Sequence, residues 1–243
     1  MAFFQGCVMD AFFHRINRLS VELLSLAGCE VVVAANQTCC GALHMHAGEK
    51  ETAVRLAKQN IEAFEREPFD FVVNNAGGCG AMLMEYAHLF AGDPDWHRRA
   101  LQFVGRSRDI SEILVFGERL QWKKEMDCTV TYQRSCHLSN VQKVKQPPLQ
   151  LIKQIAGIQL REMQNAELCC GSAGIYNIVN FDESMKILDG KMVHVKDTKA
   201  SLVVTTNPGC LMQMNLGIQR EGLQDKVRAV HLVELLAEAV GLQ

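Results

Sequence analysis

Cys39-Cys40-Gly41-Ala42 and Cys169-Cys170-Gly171-Ser172 stand 130 residues apart in a chain of 243. Each pair of adjacent cysteines has a lone cysteine upstream and another downstream. Cys7 precedes Cys39 with 31 residues between, and Cys136 precedes Cys169 with 32. Cys79 follows Cys40 after 38 residues, and Cys210 follows Cys170 after 39. Four cysteines therefore recur in register with single-residue slips. Their surroundings recur as well. Phe71-Val72-Val73 with Gly78-Cys79 matches Leu202-Val203-Val204 with Gly209-Cys210, and Asp109-Ile110-Ser111-Glu112 resembles His231-Leu232-Val233-Glu234. Repeats of this kind are sought first because they fix the architecture. The chain reads as a duplication, with one cysteine-rich domain at 1–120 and a second at 121–243.

The periodicity within each half predicts an α/β fold: two tandem pseudo-symmetric repeats, each a small parallel sheet flanked by helices. β-rich runs at Ala2–Gln5, Glu30–Ala34 and Phe69–Asn74 are expected to be strands, as are Cys128–Tyr132, Gln159–Met163 and Ser201–Thr205. Apolar residues at helical spacing predict helices over Phe12–Ala27 and Glu49–Arg66, and another that starts after Cys79 and runs to about Phe90. Gly92–Lys124, with Asp93-Pro94-Asp95 and a charged stretch at Gly117–Lys124, reads as a linker. This places the cysteines beyond the carboxyl ends of parallel strands, where open α/β sheets bind ligands and where helix N-termini stabilise thiolates.

Composition narrows the function. The net charge is −2, made up of −4 over residues 1–121 and +2 over the rest, so neither half carries a nucleic-acid footprint. The N-terminus lacks the basic and apolar regions of a signal peptide, and no run is apolar enough to span a membrane. A cytoplasmic location is expected, and thiols stay reduced there. Ten cysteines then call for metal binding, redox chemistry or burial.

The duplication separates these uses. Cys29 aligns with Ile158, and Cys128 lies in a strand, so both read as small core hydrophobes. Cys7, Cys39, Cys40 and Cys79 form one candidate ligand set; Cys136, Cys169, Cys170 and Cys210 form the other. Four thiolates suit zinc or an iron–sulfur cluster. The tight C-x-x-C knuckles of structural zinc are absent. Adjacent cysteines reach different irons of a cluster more readily than they reach one small ion. Up to two iron–sulfur clusters are expected, with zinc in a site and thiol–disulfide redox chemistry as alternatives.

These motifs resemble the cysteine-rich CCG domain family, twice over essentially the whole chain. Within it, the chain resembles the C-terminal part of the glycolate oxidase iron–sulfur subunit. The likeness is carried by Gly6-Cys7-Val8-Met9-Asp10, Thr38-Cys39-Cys40-Gly41, Asn75-Ala76-Gly77-Gly78-Cys79, Cys169-Cys170-Gly171-Ser172-Ala173-Gly174 and Asn207-Pro208-Gly209-Cys210. The resemblance implies an electron-transfer subunit with clusters of the 4Fe–4S type. It would pass electrons from a flavin-containing 2-hydroxy-acid dehydrogenase subunit to a downstream acceptor, alongside a ferredoxin-like domain or subunit, with peripheral association at the inner face of the membrane. Relatives include a lactate-utilisation subunit and a heterodisulfide reductase subunit. Fuller family members end the motif with C-x-x-C, whereas Ala76 and Asn207 stand there in this chain.

Among the histidines, His137 beside Cys136 is a candidate donor to cluster sulfur. His231, matched to Asp109, suits a helix cap with Glu234. His44 and His46 have no histidine counterparts in the second half, so a repeated ligand role fails. Gly171-Ser172-Ala173-Gly174 lacks the Lys-Ser/Thr of a phosphate loop.

Overall fold

A computed structural model describes residues 1–117 and 120–242. The first half builds a parallel sheet from β1 (Ala2–Phe4), β2 (Val72–Asn74) and β3 (Ser107–Asp109), in the order β1-β2-β3. The second builds a parallel sheet from β4 (Cys128–Tyr132), β5 (Ile158–Leu160), β6 (Leu202–Thr205) and β7 (Arg228–His231), in the order β5-β4-β6-β7. The expected α/β duplication is what folds.

The two sheets match strand for strand once one difference is read correctly. The run Glu30–Ala34, expected as a strand, contributes only a single parallel bridge from Val32 to Ala2. Phe3 N–H donates to Val32 O at 2.8 Å and Val32 N–H to Met1 O at 3.0 Å. The run ends there because the chain turns at Ala35-Asn36, with Asn36 at φ 65°. Val32 thus lies beside β1 as β5 lies beside β4. The second-half counterpart, expected over Gln159–Met163, is shorter and begins one residue earlier.

The segment read as a linker is structured. Asp93-Pro94 opens a helix, Pro94–Arg106: Asp93 caps it by accepting from Trp96 N–H at 3.3 Å, and proline takes the first-turn position its ring prefers. β3 and a short helix, Ile110–Leu114, follow directly. Of the charged stretch, residues 118 and 119 lie outside the described ones. The expected helix over Phe12–Ala27 is broken at Phe13 into Cys7–Phe12 and His14–Leu26.

The core explains why the halves hold together. Helices His14–Leu26, Ile110–Leu114, Pro147–Gln154 and Leu232–Val240 pack on one another between the sheets. Leu19, Leu23, Leu24 and Ile110 share one apolar cluster with Ile152, Val204, Leu232 and Leu236. Burying each such side chain contributes roughly 1.5–3 kcal/mol. A second cluster covers the outer face of the first sheet, with Phe4, Ile61, Phe64, Tyr86 and Phe103. Cys29 and Cys128, expected in the core, are half-buried at its margin.

Candidate metal centres

The carboxyl end of each sheet gathers four thiols. In the first half, Gly6 at φ 68° turns the chain out of β1 so that Cys7 begins a helix. Cys7 Sγ lies 3.2 Å from Cys39 Sγ. Cys39 contacts Cys40, and Cys40 contacts Cys79, through hydrogen-bonded sulfurs. Cys79 sits inside the first turn of helix Gly77–Met84, rather than ahead of it as the sequence suggested. In the second half Cys136 contacts Cys169, Cys169 contacts Cys170, and Cys170 contacts Cys210. Cys210 lies in the first turn of helix Pro208–Arg220. All eight predicted residues therefore assemble into two rows of four thiols in the same order.

Backbone donors complete each row. Gly41 at φ 89° and Gly171 at φ 94° adopt the left-handed conformation that glycine tolerates, and their N–H groups turn back on the preceding sulfurs. Gly41 N–H reaches Cys39 Sγ at 3.4 Å and Gly171 N–H reaches Cys169 Sγ at 3.3 Å. A Cβ on Gly6 would stand 3.4 Å from Cys79 Sγ, so a glycine keeps that sulfur clear. Hydrogen bonds from Cys136 and Cys170, with that of Gly171 N–H, hold the Cys169 thiol far below its ordinary value. Its partner Cys136 is pushed up by donating to Cys169 and by burial. Thiols give up their protons when metal binds them.

The donor set fits an iron–sulfur cluster. It is all thiol, it is repeated, and N–H groups aim at sulfur. Among the described residues no three His, Cys, Asp or Glu side chains are set to hold one metal ion. A row of four sulfurs suits a body of several metal atoms better than one tetrahedral ion.

Buried side chains that the sequence reading did not single out fix the Cys-Cys loops. In the first half Asn60, fully buried, accepts from Thr38 N–H at 2.8 Å and donates to Cys39 O at 3.0 Å. Tyr86 Oη donates to Cys40 O at 3.0 Å. In the second half Gln213 Nε2 donates to Cys170 O at 3.2 Å, and Lys191 Nζ donates to Asn165, Ala166 and Leu168 O at 2.9, 2.9 and 3.1 Å. A polar residue on the apolar face of a helix was the available signal. Lys191 lies in the stripe Ser184, Leu188, Lys191, Val195.

The two halves meet beside the rows. Gly77 N–H donates to Thr206 O at 2.9 Å, and Gly78 N–H donates to Asn207 Oδ1 at 2.8 Å. Asn207 also points Nδ2 at Cys210 Sγ, 3.7 Å away. His137 Nδ1 lies 3.7 Å from Cys136 Sγ, and its ring meets that of His46 edge-on. A cavity of about 460 Å³, lined by Met45, His46, Met82, His137 and Val141, opens beside this junction. His231 takes the capping role: Nδ1 accepts from Val233 N–H at 3.2 Å and Nε2–H donates to Asn75 O at 2.9 Å.

Comparison with known proteins agrees with this anatomy. The CCG cysteine-rich domain matches residues 1–84 and 130–215. The chain is 55% identical over 243 residues to a protein of Bacillus subtilis described as "Probable glycolate oxidase iron-sulfur subunit", covering 99% of this chain and 55% of that protein. The chain thus spans little more than half the length of that relative. It is 36% identical to "Lactate utilization protein A" of Oceanobacillus iheyensis, covering 97% of this chain and 96% of that protein. A solved structure of a hypothetical protein from Helicobacter pylori shares the fold, with a TM-score of 0.70 at 11% identity, over the whole chain and 49% of that protein.

Proposed function

The chain belongs to the CCG cysteine-rich domain family, and from that premise we propose that it is the iron–sulfur electron-transfer subunit of a 2-hydroxy-acid oxidising complex. Its two repeats, 1–120 and 121–243, each hold one cluster of the 4Fe–4S type. The single observation that carries the reading is the pair of four-thiol rows, Cys7, Cys39, Cys40 and Cys79, then Cys136, Cys169, Cys170 and Cys210. The glycolate oxidase and lactate-utilisation names of the relatives support a hydroxy acid as the ultimate electron source. A flavin-containing subunit would oxidise it, and a ferredoxin-like domain or subunit would share the relay. Among the described residues no helix is long and apolar enough to cross a membrane. A cytoplasmic place, with any membrane contact made through the complex, is part of this proposal.

Each cluster, when bound, supplies a one-electron carrier. The chain's own residues hold it and shape its surroundings. The eight thiolates are the ligands. Gly41 and Gly171 N–H groups donate to sulfur, which lowers the cost of negative charge there. Asn60, Tyr86 and Gln213 lock the carbonyls of the Cys-Cys loops, so the thiols keep their positions when the charge changes. The junction through Gly77 and Gly78 keeps the two sets in fixed relation.

Iron, zinc and acid-labile sulfide per chain, measured on protein purified without oxygen, test the reading. Iron with matching sulfide is expected, with about half lost in Cys39→Ala and about half in Cys169→Ala. Zinc without sulfide would replace the relay with a zinc-stabilised scaffold.

A further inference from the structure

The two thiol sets are matched in sequence but not in charge. Asn60 and Lys191 occupy the same place in the duplication, as the packing shows. A Cβ on Gly41 would touch Ala53, and a Cβ on Gly171 would touch Ser184, so Ala53 and Ser184 are counterparts. Asn60 and Lys191 each follow seven residues later on the same helix. Both side chains are buried, and both hydrogen-bond the backbone that leads into the adjacent cysteines. Asn60 does this without a net charge. Lys191 does it with an ammonium.

Lys191 is 2% exposed. Its three N–H donors are all used by carbonyls, an arrangement that fits the protonated form and only that form completely. Burial pulls its pKa down to about 8, and the thiols of Cys170, Cys210, Cys169 and Cys136 pull it back up. A charge buried without an opposing charge is expensive. The groups that offset this one electrostatically are the thiols of the second set, and its bond to Leu168 O, next to Cys169, ties it to their loop.

We infer that Lys191 raises the reduction potential of the second cluster above that of the first, so that one electron shared between them settles on the second set. The inference rests on the reading that both sets hold clusters. Reduction adds one negative charge at a site. A fixed positive charge in a low-dielectric surrounding stabilises the reduced form more than the oxidised one. Asn60, being neutral, gives the first set no such bias. The step governed by Lys191 is a one-electron transfer within the chain: the first set loses an electron, the second gains it, no bond breaks and no proton moves. Lys191 is a positioning residue for charge and touches no reacting atom. The direction of flow, from the first repeat to the second, follows from one substitution in a duplicated helix.

The test is a redox titration followed by electron paramagnetic resonance on the full chain, purified without oxygen. Cys39→Ala leaves only the second set to titrate, and Cys169→Ala leaves only the first. The second midpoint is expected to be the higher. In the Cys39→Ala background, Lys191→Gln is expected to shift the midpoint negative by at least a tenfold change in the equilibrium constant, about 59 mV for one electron. Lys191→Arg should restore it, and Lys191→Gln in the Cys169→Ala background should leave the first midpoint where it was. A midpoint unmoved by Lys191→Gln, with iron and sulfide retained, overturns the inference while leaving the clusters standing. If Lys191→Gln loses its iron, the order of the two midpoints in the lysine-containing proteins decides, and equal or reversed values overturn it. Absence of iron and sulfide from Cys39→Ala removes the cluster reading itself and this inference with it.

Discussion

Asp109→Asn should change how the stability of this protein depends on pH. Asp109 ends β3 and caps the helix Ile110–Leu114. Its Oδ1 accepts from Ser111 N–H at 2.9 Å and from the Ser111 hydroxyl, while Oδ2 is buried without a partner. Burial pushes its pKa up from 3.8 to about 6, against the pull of the Ser111 bonds. The carboxyl is therefore protonated over a range where the unfolded chain has lost that proton. Its contribution is fully present below pH 3.8 and is lost as pH rises through about 6. Between pH 4 and pH 7 the loss comes to roughly 2–3 kcal/mol. Asparagine keeps the Oδ1 acceptor and cannot ionise. Its Nδ2 adds a constant offset, because a buried N–H without a partner costs about 1–3 kcal/mol at every pH. The difference in unfolding free energy between Asp109→Asn and the parent should thus move in favour of the variant by roughly 2–3 kcal/mol from pH 4 to pH 7. Urea unfolding of both proteins, anaerobic and side by side, measures that difference. Everything else that titrates alike, including acid loss of metal, cancels. A difference that stays flat across the range would mean Asp109 titrates as an ordinary carboxyl, and the dry pocket invoked here would be wrong.

The matched cap behaves in the opposite sense. Burial holds His231 down to about 4, so its stability contribution is present above 6.5 and is lost as pH falls through about 4. His231→Gln should remove roughly 3 kcal/mol of acid sensitivity in the same urea series, and an unchanged acid limb counts against it. At the left-handed glycines, Gly171→Ala places a Cβ 2.6 Å from Ser184 O, whereas the nearest atom for Gly41→Ala is Ala53 Cα at 3.3 Å. Both lose about 1–2 kcal/mol to the left-handed backbone, and Gly171→Ala should lose clearly more by urea midpoint, with iron lost from the second set first. Tyr86→Phe strips Cys40 O and Asn60 Nδ2 of a partner and should cost about 1–3 kcal/mol without changing iron content; a loss of iron would mean the hydroxyl does more than hold the loop.

What could be read from sequence follows from where the physics is local. The duplication, the two thiol sets and the parallel sheets were legible because cysteine spacing and β-rich runs such as Leu202–Thr205 carry their own signal. β3 was hidden. Ser107-Arg108-Asp109 has no β-branched or alternating pattern, and it is a strand because Val72–Asn74 supplies its partners. Glu30–Ala34 failed in the other direction: Glu30-Val31-Val32-Val33 has strong β preference, yet one bridge is all its edge position provides. Asp93-Pro94 read as a linker although the same pair is a helix start, and Ala100 and Phe103 on the following turns were the signal that decides between them. In the candidate site, the thiols were visible and their supports were not. Nothing local tells that Asn60 meets Cys39 O or that Lys191 meets three carbonyls, because those contacts join positions more than twenty residues apart.

The supports are where the two halves part company. The cysteines of the two sets recur unchanged, while Asn60 is matched by Lys191, Tyr86 does the work that Gln213 does, Ala53 is matched by Ser184 and Asp109 by His231. Most of these pairs perform one mechanical task with different chemistry. A carbonyl is held by a phenol or an amide, and a helix is capped by a carboxylate or an imidazole. Mechanical equivalence keeps the fold, so such changes cost little at the scaffold. Electrically they are not equivalent. Lys191 adds a charge beside one thiol set, and Asp109 and His231 differ in charge at matched helix starts. A duplicated relay with identical sites would leave an electron with no preferred direction. Substitutions that preserve packing while changing charge are the route by which one copy can be biased against the other without disturbing either set of ligands.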